Sequence, residues 1–308
     1  MERWLSQLEN IISGNPKALA RTISLVENES TGYLSFLQSL PASSTPVIGI
    51  TGPPGAGKST LVDALIETLV AENKKVGVLC VDPTSPFNYG ALLGDRIRMN
   101  QWYNNPNVFI RSLASRGSLG GLNPKIIEIT DVMKAAPFDY IIVETVGVGQ
   151  TEVEIVGLAD VTVVVLVPES GDEVQTMKAG LMEIADIFVV NKADRLGTDE
   201  MIRSLRTMLA PTFKSHYQVP VIKTIASQKQ GVNEVIDAIR KILFYQHEKD
   251  KKIWLLTEKA YLLIQQDRMR DINRLQLKQH IQTKTEQGTT NIYAIVAEIL
   301  EKHRSHNP

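Results

Sequence analysis

The chain has 308 residues, of which 43% are hydrophobic, and this composition fits a globular protein with one large domain and smaller attached elements. Its 33 lysines and arginines nearly balance 34 aspartates and glutamates, so a net charge of −1 excludes a general attraction to nucleic acid or to an anionic membrane. No basic segment followed by an apolar stretch begins the chain, and no apolar run is long enough to cross a bilayer, which predicts a cytoplasmic protein. The single cysteine, Cys80, lies in an apolar run, where we expect a buried thiol that behaves as a small hydrophobe.

Residues 1–44 are predicted to form an N-terminal helical extension. Apolar side chains at Leu5, Leu8 and Ile11 recur at the spacing of one helix face. The segment 41–46 then ends the extension, because its two prolines and three hydroxyl residues disfavour a continued helix.

Residues 45–245 contain short apolar runs that alternate with helical patterns. This alternation predicts an α/β domain with a mainly parallel central sheet that helices cover on both faces. Ligands of such sheets bind where the strands end at their carboxyl side. The predicted strands are residues 47–50, 76–81, 108–110, 140–143, 161–167, 187–190 and 219–222.

Residues 246–308 change to long helical patterns and are predicted to form a C-terminal helical arm. One long helix is expected from Leu256 through Ile281, and a second one over residues 292–300 after a polar break at residues 283–290. From this pattern two alternatives stay open, namely packing against the arm's own domain and pairing with a second copy of the chain.

A glycine-rich segment follows the first predicted strand and leads into a helical pattern. Glycines allow successive backbone N–H groups to point into one concavity that binds phosphate oxygens. Lys58 can reach the β and γ phosphates, and Ser59 can offer its hydroxyl to Mg²⁺. This order predicts the P-loop NTPase class and a bound nucleoside triphosphate. The residues expected at the nucleotide are Gly52, Pro53, Pro54, Gly55, Ala56, Gly57, Lys58, Ser59 and Thr60.

The tetrapeptide Asn191-Lys192-Ala193-Asp194 follows the predicted strand 187–190 and indicates which base is bound. The carboxylate of Asp194 can accept hydrogen bonds from both N1–H and N2–H of guanine, whereas adenine would leave it unpaired. GTP is therefore predicted over ATP. We expect Asn191 to face the N7 and O6 side of the base, Lys192 to lie across the ring, and the backbone N–H of Ala226 to meet O6.

Three acidic residues are predicted to serve the metal and, with Lys58, the catalytic chemistry. Asp82 and Glu144 end predicted strands, Asp95 lies in a loop, and Mg²⁺ prefers such oxygen ligands together with the Ser59 hydroxyl. Metal contact through water is expected for Glu144. No residue is assigned as a general base, so the expected chemistry is slow attack of water on the γ-phosphate that a bound partner accelerates.

The loop after Glu144 is predicted to change shape with the nucleotide. Gly147 takes the place of a glycine that senses the γ-phosphate in many GTPases, and neighbouring glycines permit rearrangement when that phosphate leaves. Gln150 can orient a water molecule, although an exposed loop glutamine without a role is the commoner case.

Several segments together resemble the MeaB/ArgK/MMAA-type G proteins, which belong with the signal-recognition and nickel-insertion GTPases. The resemblance covers nearly the whole chain, and its most specific parts are Asp82-Pro-Thr-Ser-Pro and Glu144-Thr-Val-Gly-Val-Gly-Gln rather than the phosphate loop. The other matching segments are residues 90–99, 115–117, 120–121 and the box that begins at Asn191.

The resemblance implies a homodimeric GTPase chaperone of an adenosylcobalamin-dependent acyl-CoA mutase, typically methylmalonyl-CoA mutase. Such proteins gate the delivery of intact cofactor and help to eject damaged cofactor. It also implies that the acids Asp82, Asp95 and Glu144 serve Mg²⁺ and the switches, and that residues 168–178 form an additional switch loop. Gln175 and Lys178, three residues apart, would signal the nucleotide state to the mutase.

Three other functions stay open from the sequence. A nickel-insertion GTPase usually carries a histidine-rich tract or a Cys/His cluster, and five scattered histidines with one cysteine offer neither. An ArgK-like kinase or ATPase linked to transport of cationic amino acids would use ATP, which Asp194 disfavours. A third possibility is a scaffold that binds the nucleotide without hydrolysing it, and only an assay of phosphate release distinguishes such a scaffold from a GTPase.

Overall fold

The chain divides into two compact units, Met1–Leu256 and Thr257–Pro308. The computed structural model describes residues 2–82, 99–115, 123–145, 155–170, 185–209, 219–245, 249–269, 272, 274–288 and 291–306.

A seven-stranded sheet forms the centre of the first unit, in the order β3-β2-β4-β1-β5-β6-β7 with every neighbouring pair parallel. Its strands are rich in β-branched residues, and several are buried along their whole length, as expected for strands covered on both faces. All seven predicted strands are confirmed, although the one predicted at 108–110 continues to Ala114 and the one predicted at 219–222 begins at Val221. They are β1 (Val47–Thr51), β2 (Val76–Asp82), β3 (Val108–Ala114), β4 (Tyr140–Glu144), β5 (Val161–Leu166), β6 (Ile187–Val190) and β7 (Val221–Lys223).

Helices cover both faces of this sheet, which confirms the predicted α/β class. The helices α4 (Lys58–Ala71) and α7 (Val232–Tyr245) share one apolar core with β1, β2 and β5. On the other face α6 (Thr198–Leu209) packs against β5 and β6, and Met133 of α5 (Ile126–Lys134) lies where a side chain at Gly77 of β2 would stand.

The predicted N-terminal extension forms three helices that belong to the same compact unit as the sheet. They are α1 (Glu2–Ile12), α2 (Pro16–Glu27) and α3 (Tyr33–Gln38). Asn15 caps α2, since its side-chain oxygen accepts hydrogen bonds from the backbone N–H groups of Lys17 and Ala18 at 3.0 and 3.2 Å.

Charged side chains join this extension to the sheet. Arg111 of β3 lies 3.6 Å from Glu27 at the end of α2, and the Lys125 ammonium lies 2.8 Å from Glu29 and 3.1 Å from Glu128 of α5. Partial burial by itself lowers the pKa of Lys125, but its hydrogen bonds and charge attraction to Glu29 and Glu128 outweigh that effect and raise the pKa. The ammonium is therefore stabilised in its charged form between two carboxylates.

The C-terminal helices confirm a helical arm but differ from the predicted pattern. They are α8 (Lys249–Arg268), α9 (Arg274–Glu286) and α10 (Ile292–His306). A single long helix through Ile281 is wrong, because α8 ends at Arg268; the intervening sequence carries Asp271 and Asn273, residue types that favour helix ends. The polar break is also shorter than expected, since α9 continues to Glu286.

Two simpler expectations can be compared with the described residues. Cys80 is buried in the main core, as predicted. Among the described residues, no helix combines the length and the apolar character that crossing a bilayer requires.

Candidate nucleotide site

The phosphate loop lies between the end of β1 and the first turn of α4, at the carboxyl edge of the sheet. Two of its glycines are required by close contacts: a Cβ at Gly52 would lie 2.0 Å from the carbonyl oxygen of Val165, and one at Gly57 would lie 2.3 Å from the Asn191 amide nitrogen. Both also have positive φ angles, 137° and 87°. The loop is therefore held against β5 on one side and the Asn191 box on the other.

Lys58 and Ser59 begin α4 and are both buried. The Lys58 ammonium donates hydrogen bonds to the carbonyl oxygens of Gly52 and Pro53 at 2.8 and 3.0 Å, so it lies over the phosphate loop. Ser59 donates to the Glu144 carboxylate at 2.7 Å. Two side chains predicted to hold Mg²⁺, which are 85 residues apart in the sequence, are thus brought into contact.

A second pair of side chains joins the ends of β1 and β4. The hydroxyl of Thr145 donates to the hydroxyl of Thr51 at 2.9 Å, and the backbone N–H of Thr145 donates to the Ile50 carbonyl at 3.0 Å. Neither threonine was assigned a role from the sequence. Their positions, directly before Gly52 and directly after Glu144, are the signal that could have found them.

Asn191 connects three segments at the base-binding side. Its amide nitrogen donates to the Ala56 carbonyl at 2.9 Å, while its oxygen accepts from the Thr224 hydroxyl at 3.1 Å and from the Ala226 N–H at 3.0 Å. The predicted contacts of Asn191 and the Ala226 N–H with the base stay predictions, and the Asn191 amide nitrogen has a second N–H besides the one donated to Ala56. Asn191 therefore ties the phosphate loop to the loop after β7.

The rest of the box faces outward. Lys192 has a left-handed backbone, with φ of 54°, and its ammonium donates to the Gly55 carbonyl at 2.7 Å, so its stem spans from the box to the phosphate loop. Asp194 is exposed. Its carboxylate is therefore accessible to an incoming base edge.

Arg195 joins the box to the end of β5. It lies 2.6 Å from Glu169, and its hydrogen bond is the main cause of a lowered pKa for that carboxyl. Glu169 belongs to a short turn, Pro168–Ser170, which is the start of the predicted additional switch loop 168–178.

The other predicted metal-site and switch residues lie wholly or partly outside the described part of the chain. Asp82 is the last residue of β2, but its side chain is not described. Its backbone lies two residues beyond Cys80, and Cys80 is the register partner of Glu144 in β4. Within the described residues, no three His, Cys, Asp or Glu side chains gather into a metal-binding cluster. The predicted residues that lie outside the described part of the chain are Asp95, Gly147, Gln150, Gln175 and Lys178.

The glycine-rich loop between β1 and α4, the Ser59–Glu144 contact and the Asn191 box together define the class of the P-loop GTPases. The fold agrees, since the crystal structure of LAO/AO transport system kinase matches 99% of this chain and 98% of that chain with a TM-score of 0.63 and 24% sequence identity.

The particular family follows from the sequence match. The family model described as methylmalonyl Co-A mutase-associated GTPase MeaB matches residues 19–286, so the chain belongs to the MeaB family and is a GTPase. This result confirms the resemblance found in the sequence.

Two relatives support this assignment. A Pyrococcus horikoshii protein named as a GTPase is 47% identical over 266 residues, which cover 84% of this chain and 83% of that protein. The fused isobutyryl-CoA mutase of Geobacillus kaustophilus is 37% identical over 254 residues, which cover 76% of this chain but only 23% of the fused protein.

Proposed function

We propose that the chain is a GTP-hydrolysing chaperone that gates the loading of adenosylcobalamin into an acyl-CoA mutase of the methylmalonyl-CoA mutase type and protects or reactivates that enzyme. The observation that carries the proposal is the match to one segment of a fused isobutyryl-CoA mutase. Covalent fusion of a similar segment to a mutase supports a working contact between the two when they are separate chains. The family description, which names methylmalonyl-CoA mutase, supports the same partner class.

The nucleotide in this proposal is GTP or GDP, held as the sequence predicted. Asp194 accepts hydrogen bonds from N1–H and N2–H of guanine, and the backbone N–H groups of residues 52 and 55–60 donate to the phosphates, since Pro53 and Pro54 have none. The Lys58 ammonium nitrogen lies 2.8 Å from the Gly52 carbonyl oxygen. It is therefore already beside the phosphate loop and can donate to phosphate oxygens instead of to this carbonyl.

A magnesium ion fits the side chains at the same place. The Ser59 hydroxyl and the Glu144 carboxylate meet at 2.7 Å beneath the phosphate loop, and hard oxygen donors of this kind suit Mg²⁺. Asp82 and Asp95 are proposed to complete the set. When bound, the ion neutralises charge on the phosphate oxygens.

The remaining chemistry belongs to the protein. The Lys58 ammonium offsets the negative charge that builds on the phosphate oxygens as water attacks, and Gly147 is proposed to sense whether the γ-phosphate is present. Gln150, Gln175 and Lys178 are proposed to report that state to the mutase. The Arg195–Glu169 pair supports this role, because it connects the base-binding box to the turn before Gln175 and Lys178.

We further propose a homodimer formed through the C-terminal arm. Large apolar side chains on the second unit are exposed, as expected for a surface that a second copy covers. They are Tyr261, Leu263, Ile264, Met269, Leu275, Ile292, Tyr293, Val296 and Leu300.

The test is single-turnover GTP hydrolysis by the full chain with and without a purified mutase, together with the absorbance change of adenosylcobalamin on transfer. We expect methylmalonyl-CoA or isobutyryl-CoA mutase to raise the rate and cofactor transfer to depend on GTP. Lys178→Ala is expected to lower the stimulation, whereas Lys241→Ala, an exposed lysine on α7, serves as the matched control. Equal rates with and without every mutase tested, and transfer that ignores GTP, would contradict the proposal.

A further inference from the structure

Two buried hydroxyl groups are in contact where β1 and β4 end, next to the nucleotide site. Thr51 is the last residue of β1 and Thr145 is the first residue after β4, and their exposed fractions are 0% and 2%. The Thr145 hydroxyl donates to the Thr51 hydroxyl at 2.9 Å. Buried hydroxyls need a partner, and each of these two finds it in the other.

The two threonines are the points from which two nucleotide-binding segments leave the sheet. Thr51 directly precedes Gly52 of the phosphate loop, whose backbone is pressed against Val165. Thr145 directly follows Glu144, whose carboxylate accepts a hydrogen bond from Ser59. A shift of either threonine would therefore move a segment that holds phosphate or metal.

We propose that Thr51 and Thr145 are positioning residues for GTP hydrolysis. Their hydroxyl contact fixes the distance between the end of β1, directly before the phosphate loop, and the end of β4 at Glu144, and this distance sets how well the site fits the γ-phosphate. The proposal concerns the GTPase activity itself and is independent of any mutase.

The physical reason is the short length of a hydroxyl contact. Two hydroxyl oxygens approach to 2.9 Å here, whereas two methyl carbons prefer about 3.5–4.0 Å, so a pair of valines would separate the two segments by about 0.6–1.1 Å more. Threonine and valine have nearly the same shape, so the double substitution replaces both hydrogen-bonding partners with apolar groups of similar size. Displacements of about 1 Å in a catalytic site can cost about 100-fold in rate.

The experiment measures intrinsic single-turnover GTP hydrolysis, GTP and GDP affinity, and urea unfolding for Thr51→Val, Thr145→Val, the double valine variant, and Thr145→Ser. We expect each single valine variant to lose stability, because one buried hydroxyl is left without its partner, and the double variant to recover much of that stability. The hydrolysis rate constant of the double variant is nevertheless expected to stay about 10- to 100-fold below that of the unsubstituted protein. Its preference for GTP over GDP is expected to shrink, and Thr145→Ser is expected to keep both rate and preference.

Thr130→Val is the matched control. Thr130 is also fully buried, and its hydroxyl donates to the Ile126 carbonyl at 2.6 Å within α5, remote in the sequence from the phosphate loop. It is expected to lower stability without changing the rate. If the double valine variant hydrolyses GTP at the unsubstituted rate, or if rate and stability recover together, the pair only satisfies buried polar groups and the proposal is overturned.

Discussion

At the scale of single residues, Asn191 holds together the segments on the base-binding side of the site. Its three hydrogen bonds to Ala56, Thr224 and Ala226 use both ends of its amide and leave it buried. The sequence pattern predicts that this residue also contacts the base, for which its amide nitrogen keeps a second N–H. The pattern does not indicate the three internal hydrogen bonds, because their partners come from segments far apart in the chain.

Asp194→Asn is predicted to change which nucleotide binds. The substitution turns one acceptor into an N–H donor that opposes the guanine amino group, and each hydrogen bond to a charged group contributes about 1.5–3 kcal/mol, so GTP affinity should fall about 100-fold or more. Xanthosine triphosphate has a carbonyl in place of that amino group and should bind the variant better than GTP. Calorimetry with both nucleotides and with ATP measures this preference.

Asp199→Asn provides the control for that change. Asp199 is also an exposed aspartate close to the box, but it pairs with Lys223 at 2.5 Å instead of facing the nucleotide side. It should keep the preference for GTP. An Asp194→Asn variant that still prefers GTP would show that another group reads the base.

Gly52→Ala and Gly55→Ala are predicted to differ in their cost. Both glycines have positive φ, for which alanine loses about 1–2 kcal/mol. Only at Gly52 does the new methyl group also meet an atom, the Val165 carbonyl oxygen at 2.0 Å, whereas nothing lies within 4 Å at Gly55. Urea unfolding of the two variants should therefore show a clearly larger loss for Gly52→Ala, and equal losses would contradict the described fit against β5.

At the scale of elements, the strands were predictable because each contains a short apolar run, and all of these runs except the one at 161–167 are followed by a polar or glycine residue. Their order in the sheet and the Ser59–Glu144 contact were not, because pairing is decided by tertiary packing. The arm was less predictable: many polar residues obscure its helical period, and the end of α8 at Arg268 was missed. Helix ends depend on local competition for backbone hydrogen bonds, which a periodic pattern does not record.

The junction between α2 and the sheet gives a prediction that depends on pH. Lys125→Met removes the cation between Glu29 and Glu128, and we expect the free energy of unfolding to fall by about 1–3 kcal/mol near neutral pH. The folded-state pKa of Lys125 is raised, so its stabilisation is fully present below the unfolded pKa of about 10.4 and is lost as the pH rises above that value.

The measurement is urea unfolding of both proteins near neutral pH and near pH 11. The difference between them should be smaller at the higher pH. Lys17→Met, at an exposed lysine of α2, is the control and should change little at either pH. A difference that grows with pH would show that the Lys125 ammonium is not stabilised by its carboxylates.

At the scale of the whole molecule, the two compact units differ in how much of their apolar surface they bury. The first buries most of its large apolar residues in cores on both faces of the sheet, although Leu196 and Phe244 are exposed, while the second leaves Tyr293 83% and Ile264 60% exposed. A dimer would remove such side chains from water, at about 25 cal/mol for each Å² of apolar surface.

Ile264→Asp is predicted to weaken the proposed dimer. A carboxylate placed in an apolar contact costs several kcal/mol, so the protein should shift towards monomer in light scattering at micromolar concentration. Gln265→Glu adds the same charge at the adjacent exposed position and should leave the mass unchanged. An unsubstituted protein that is already monomeric, or an Ile264→Asp variant that stays dimeric, would contradict assembly through this helix.

The salt bridges of the extension have a consequence for any attempt to shorten the protein. Cutting the chain at residue 45 would remove Glu27 and Glu29. Their partners Arg111 and Lys125 would then lie on a surface of the remaining fragment that the extension had covered. The proline-rich segment 41–46 would look like a convenient cloning boundary, yet the piece beyond it would expose apolar surface and two cations that have each lost a carboxylate partner, with Lys125 keeping only Glu128. A truncated version of this GTPase that is meant to fold unaided should therefore retain α1, α2 and α3.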